Sequence, residues 1–151
     1  LKISLIEYAA FFGAIQIFQY LRNNEVVCQP SLWLFAIHGS NPEIIHILEE
    51  NSIKPEDKSY QECLFESIRS HHNDIVNYII NNLINTKESE EEDYSYDIFF
   101  QSLKSYNFTF LANEYINSNS FHDFCKYDYY SIVEILLKEY NIDINKVKIL
   151  N

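Results

Sequence analysis

The stretch Ser4-Leu-Ile-Glu-Tyr-Ala-Ala-Phe-Phe-Gly-Ala-Ile-Gln-Ile-Phe-Gln-Tyr-Leu21 decides the fold, because it returns 27 residues later as Ser31-Leu-Trp-Leu-Phe-Ala-Ile-His-Gly-Ser-Asn-Pro-Glu-Ile-Ile-His-Ile-Leu48. Ser4 falls on Ser31, Ala9 on Ala36, and Ile17, Phe18 and Leu21 on Ile44, Ile45 and Leu48. Further on, Asp74-Ile-Val-Asn-Tyr-Ile79 repeats Glu43-Ile-Ile-His-Ile-Leu48, and Ser131-Ile-Val-Glu-Ile-Leu136 repeats it again. A degraded copy lies between them, with Phe110-Leu111 in the register of Ile75-Val76 and Glu114 where the others carry Leu or Ile. That copy is expected to be shifted or bent. Self-similarity of this kind marks units that bury too little alone and gain a continuous core by stacking.

Each copy reads as two short helices. Ser4 followed by Glu7 is a capping box, the hydroxyl taking an orphan backbone N–H and the carboxylate reaching back to the cap. Asn41-Pro42 opens a helix with Asn as cap and Pro in the first turn, where its missing N–H costs nothing. Apolar residues at i, i+1 and i+4, as in Ile17-Phe18-Leu21, make one narrow stripe. Ala9, Ala36 and Ser67 are small enough to let neighbouring helices approach closely. The pattern predicts an all-α, helix-turn-helix solenoid of about five divergent repeats over residues 1–151, with little or no sheet. It also predicts Ile17, Ile44, Ile75 and Ile132 in equivalent core positions.

These strings resemble the ankyrin repeat. Its Thr-Pro-Leu-His-x-Ala-Ala-x-x-Gly-His-x-Glu-Ile-Val-x-x-Leu pattern aligns with Ser4 to Leu21 and Ser31 to Leu48, His122 fits the His of the last copy, and Asn141-Ile-Asp-Ile-Asn145 is similar to the closing Gly-Ala-Asp-Val-Asn. More closely, Ser4–Asn82 and Cys125–Asn145 look like the divergent ankyrin-like domain of unknown function of protist ankyrin-repeat families. The strings Ser31–His38, Asn41–Ile45, Cys63 and His71-His72-Asn73-Asp74-Ile75 carry that likeness. The chain departs from the pattern in lacking Thr-Pro, in lacking the turn glycine in copies three to five, and in its spacing. The intervals between Ile17, Ile44, Ile75, Phe110 and Ile132 are 27, 31, 35 and 22 residues, leaving little room for β-hairpin fingers. The resemblance implies a protein-interaction scaffold whose residues after the Ala-Ala pair face a concave groove.

Composition bounds what else the chain does. With 22 Asp and Glu against 11 Lys and Arg, a formal charge of −11 argues against nucleic-acid phosphate or anionic lipid as the main ligand. No apolar run approaches the roughly 20 residues of a membrane helix. Cys28, Cys63 and Cys125 are odd in number and widely spaced, which reads as buried reduced thiols in a cytoplasmic protein. A chain opening at Leu1 and lacking Met reads as a piece of a longer protein. Residues 86–97 set six carboxylates against Lys87. Such a run is expected to be a solvated surface insertion giving way to a helix near Asp93, with Ser89 suited to an acid-directed kinase.

The sequence supplies no equipment for catalysis, cofactor or metal. Two glycines cannot build a phosphate loop, no Cys-x-x-Cys or His-Glu-x-x-His occurs, and the adjacent pair His71-His72 diverges on a helix. Trp33, in an apolar helix, reads as core. One column does stand out. The two positions after each Ala-Ala pair are Phe11-Phe12, His38-Gly39, Arg69-Ser70, Lys104-Ser105 and Lys126-Tyr127. A row of His38, Arg69, Lys104 and Lys126 headed by Phe11 and Phe12 is expected along the groove, ready for an acidic or amphipathic partner protein. The helix macrodipole, which favours cations at C-termini, accounts equally for each of them singly. The expected function is a non-enzymatic protein-interaction module. The alternative is a structural cap that stacks on further ankyrin repeats through an apolar end face around Leu136-Leu137 and Ile142–Ile149.

Overall fold

The computed structural model describes residues 3–84 and 94–140, and among these the chain is all-helical, with nine α-helices and no strand. It divides into two compact units, residues 1–92 and 93–151. The acidic insertion at 86–93 and the tail at 141–151 lie outside the described residues.

The first unit holds three helix pairs: α1 (Leu5–Phe11) with α2 (Ile15–Asn23), α3 (Leu32–Gly39) with α4 (Pro42–Glu50), and α5 (Gln61–Arg69) with α6 (Asn73–Tyr78). A π-helical turn, Ile79–Ile84, prolongs α6. The caps stand where the sequence predicts them. Ser4 accepts from the Glu7 N–H while Glu7 accepts from the Ser4 N–H at 2.8 Å, and the Asn41 side chain accepts from the Glu43 N–H at 3.0 Å with Pro42 opening the helix. The first helices of successive pairs pack side by side, α1 on α3 and α3 on α5, and α2 packs on α4. Small side chains make this possible, since Ala9, Ala36 and Ser67 are all buried at those contacts.

The predicted core column needs correcting by one residue. Ile44 is buried, but Ile17 is 52% exposed and Ile75 and Ile132 are only half-buried. The buried column is the next one, Phe18, Ile45 and Val76, joined by Leu48 and Ile79. Ile17 lies open because its pair is the first described, with no layer on that side.

In the second unit α7 (Ser95–Lys104), α8 (Phe121–Lys126) and α9 (Tyr130–Tyr140) enclose Phe99, Leu103, Phe121, Phe124, Tyr129 and Leu136. The degraded copy forms no second α-helix. Three 3₁₀ turns, Phe108–Phe110, Asn113–Tyr115 and Ser118–Ser120, replace it. Asn107 accepts from the Thr109 N–H and Asn117 from the Asn119 N–H, each capping one of these short turns. The prediction of about five helix pairs is therefore corrected at copy four. Leu136 belongs to this core and Leu137 packs half-buried against it, so they do not form the expected apolar end face; Ile142–Ile149 lie outside the described residues.

All five first helices end alike. Gly13, Ser40, His71, Tyr106 and Asp128 each have φ between 53° and 61° and stand two residues beyond the aligned column. In four of these turns an N–H one residue further on bonds back to the carbonyl two residues before the aligned column: Ala14 to the Ala9 carbonyl at 2.8 Å, and His72 to Ser67, Asn107 to Ser102 and Tyr129 to Phe124 at 2.9 Å. This left-handed closure suits glycine, and a side chain there costs roughly 1–2 kcal/mol. Ser40→Gly should therefore raise stability by about 0.5–1 kcal/mol, read from urea melts; an unchanged or lower midpoint would count against the strain.

Candidate functional site

The shared turn puts the predicted basic residues in one structural position. His38, Arg69, Lys104 and Lys126 all lie in the last turn of a first helix. His38 and Arg69 belong to the first unit, Lys104 and Lys126 to the second.

In the first unit the stacking brings the column together. The Phe11 ring lies flat on His38, with centroids 4.1 Å apart and planes 10° from parallel. Phe35 meets Phe11 edge-on at 6.5 Å. His38 Nδ1 is 3.3 Å from Glu66 Oε1, and Arg69 Nη2 donates to Glu66 Oε2 at 2.7 Å. Ser70 Oγ also donates to Glu66. The row is thus aromatic at one end and ionic at the other, and Glu66 offsets its charge. Phe12 is exposed and rests on Phe11 and Tyr8.

Burial pushes the Glu66 carboxyl upward, but the His38 hydrogen bond, the Arg69 charge and Ser70 outweigh it, and its pKa ends below the ordinary carboxylate value. Glu7 is also lowered, first by the Ser4 hydroxyl and then by the Ser4 N–H, with Ser31 adding a bond from the next layer against a smaller effect of burial. A depressed folded pKa contributes stability that is present above the unfolded value and lost as pH falls through the folded one. The stability curve should therefore drop in acid through the folded pKa of both groups. Glu66→Gln and Glu7→Gln should each flatten that limb in melts run against pH, and an acid limb identical to wild type would remove these pairs from the account.

In the second unit Lys104 Nζ stands 5.6 Å over the Phe100 ring and Lys126 Nζ 5.3 Å over Tyr127, while the two rings meet edge-on at 6.2 Å. A cation over an aromatic face is held by the ring quadrupole. Each unit so combines aromatic rings with the predicted cations. The sequence reading missed Phe35, Glu66 and Phe100, which sit three, three and four residues before His38, Arg69 and Lys104. That spacing is one helical turn, a signal available in the sequence.

Other side chains tie the layers together. Trp33 is fully buried and its indole N–H donates to the Ile53 carbonyl at 2.7 Å. Cross-layer bonds run from the Asn41 amide to the Gly13 carbonyl at 2.9 Å and between His72 Nε2 and the His38 carbonyl at 3.0 Å. Glu49 accepts the Tyr78 hydroxyl at 2.8 and 2.9 Å. Burial, followed by that hydrogen bond, pushes the Tyr78 hydroxyl up to about 12. The cysteines differ from the expectation of three buried thiols: Cys63 is buried, Cys28 half-buried and Cys125 exposed. Burial, then the charges of Asp57, Glu62 and Glu66, pushes the Cys63 thiol up to about 12, and burial raises Cys28 and Cys125 as well. Thiols held protonated are poor nucleophiles. Among the described residues no three His, Cys, Asp or Glu side chains converge as a metal-binding group, and no helix is long and apolar enough to cross a membrane.

The described residues form an all-helical protein, with helix pairs packed side by side in its first unit. Residues 27–108, more than half of the chain, match the model of a family described as a domain of unknown function, DUF3447, and the chain belongs to that family. No curated protein and no solved structure matches it.

Proposed function

We propose that the chain is a non-enzymatic protein-interaction module, ankyrin-like, that binds a partner protein along the row of first-helix C-termini in its first unit. One observation carries this reading. Residues from three successive layers, Phe11, His38 and Glu66 with Arg69, touch in sequence, so equivalent positions form a continuous strip. Such a strip suits an amphipathic segment, its apolar side on Phe11 and Phe35 and a carboxylate toward Arg69, whose side chain is 56% exposed. Phe100, Lys104, Tyr127 and Lys126 offer the same chemistry in the second unit. Aromatic and Arg anchors dominate binding energy at such surfaces, while rim charges chiefly steer encounter.

The test is selection of amphipathic peptides from a display library on the wild-type chain, followed by affinity measurement on Phe11→Ala with Arg69→Glu. A loss of about tenfold or more in a variant of unchanged helicity supports the reading. Undiminished binding by the folded variant would remove the strip from consideration.

A further inference from the structure

We infer, on the strip reading above, that the partner segment also carries a basic residue beside a bulky apolar one, and that this pair seats in a cleft between α3 and α5. The cleft has a volume of about 290 Å³. That is near the lower limit for ligand pockets, about 300 Å³, and gives room for one large side chain. Leu34 and Phe35 of α3 give it apolar walls, with Pro30 and Pro55 from the connections entering α3 and α5. Glu56 and Glu62 also line it, and no cation does. Both carboxylates are exposed, and neither forms an ion pair among the described residues. The walls are fixed before anything binds. The Pro30 carbonyl accepts from the Trp33 N–H at 3.2 Å and the Pro55 carbonyl from the Lys58 N–H at 3.1 Å, so each proline belongs to a closed turn. Asp57 Oδ2 accepts from the Glu62 N–H and the Ser59 hydroxyl, both at 3.0 Å, tying that connection to the first turn of α5. A cleft ordered in this way loses little freedom on binding.

Phe35 joins the cleft to the strip. It lines the cleft and also meets Phe11 edge-on at 6.5 Å, while Glu62 stands one helical turn before Glu66. The surface therefore runs from carboxylates near the start of α5, past aromatic rings, to Arg69 at its end. The macrodipole favours that order of charges along a helix and helps to hold it. Seven residues separate Glu62 from Arg69, an axial distance of about 10 Å at 1.5 Å per residue. A complementary segment sets its basic residue and its carboxylate about seven positions apart if helical, or about three if extended. Long-range charge favours such a segment over one that is acidic throughout. The chain carries a formal −11, which repels acid alone and draws in a segment led by a cation.

The probe is a display library of random segments of about 14 residues, four helical turns, selected on the wild-type chain. Enriched segments should carry Lys or Arg next to an aromatic residue or Leu, with Asp or Glu at that spacing. Glu56→Lys with Glu62→Lys should weaken them by about tenfold or more without loss of helicity. Glu56→Gln with Glu62→Gln, which keeps the shape of both side chains, should give a smaller loss of the same sign and guards against a folding defect. Segments that lose affinity on Phe11→Ala with Arg69→Glu but keep it on both cleft variants overturn the cleft and leave the strip standing. Segments weakened by the cleft variants alone overturn the strip, and with it the spacing of charges. Indifference to every variant, or no enrichment at all, overturns both. Sedimentation of the wild-type chain is the second arm. A monomer at micromolar concentration agrees with the proposal, whereas a dimer that the charge reversal splits assigns the cleft to a second copy and overturns it.

Discussion

Trp33→Ala is expected to cost about 3–5 kcal/mol, enough to unfold much of the first unit at moderate urea. Trp33 is the largest fully buried side chain, its ring meets Tyr60 edge-on at 5.1 Å, and its indole donates to the Ile53 carbonyl. Truncation opens a cavity and leaves that carbonyl unpaired beneath residues 51–60, the connection between the second and third layers. The two losses are separable. Trp33→Phe keeps much of the volume but not the donor, and should fall between wild type and alanine in a urea titration. Equal midpoints for Phe and Ala would mean that the hydrogen bond, rather than the packing, fastens this connection.

Gly39→Ala is expected to be the next most damaging change, although it adds only one methyl. A β-carbon there would stand 2.0 Å from the Ala10 carbonyl oxygen, 2.9 Å from the Gly13 nitrogen and 3.1 Å from the Phe11 carbonyl oxygen. All three are backbone atoms, so relief requires α1 to move away from α3 instead of a side chain rotating. Overpacking of this kind costs about 1–3 kcal/mol or more. Displacing α1 would also break the Phe11–His38 stack and the Asn41 bond to Gly13. A thermal melt within a degree of wild type would show that the first layer is free to slide. Gly39→Ala should in addition accelerate hydrogen exchange in α1 before it does so in α5.

The helix pairs and their caps were legible because capping and periodicity are local properties, written within four residues of where they act. The inward face was not. Ile17-Phe18, Ile44-Ile45 and Ile75-Val76 are all doubly apolar, and only the packing of neighbouring layers decides which of each pair is buried. Copy four could be aligned but not folded, because Glu114 stands where the other copies carry Leu or Ile and three 3₁₀ turns take the place of its second helix. The basic column was found by aligning copies, a comparison that looks along the stack. Glu66 was missed because it lies one turn back along its own helix, where alignment does not look. The role of Gly39 was invisible for a different reason. Nothing in Ile37-His38-Gly39-Ser40 records that another helix ends against it.

The left-handed closures at Gly13, Ser40, His71, Tyr106 and Asp128 are 27, 31, 35 and 22 residues apart, yet each ends its helix in the same way. Length is therefore absorbed after each closure, partly in segments such as 24–31 and 51–60 and partly in the second helix, which copy three prolongs by a π-helical turn and copy four replaces with 3₁₀ turns. A chain built like this can accept insertions and deletions at the layer junctions while every closure keeps its place, so descendants of one ancestor would drift in length faster than in architecture. Aligning them by their turns would recover a kinship that a fixed repeat period would miss.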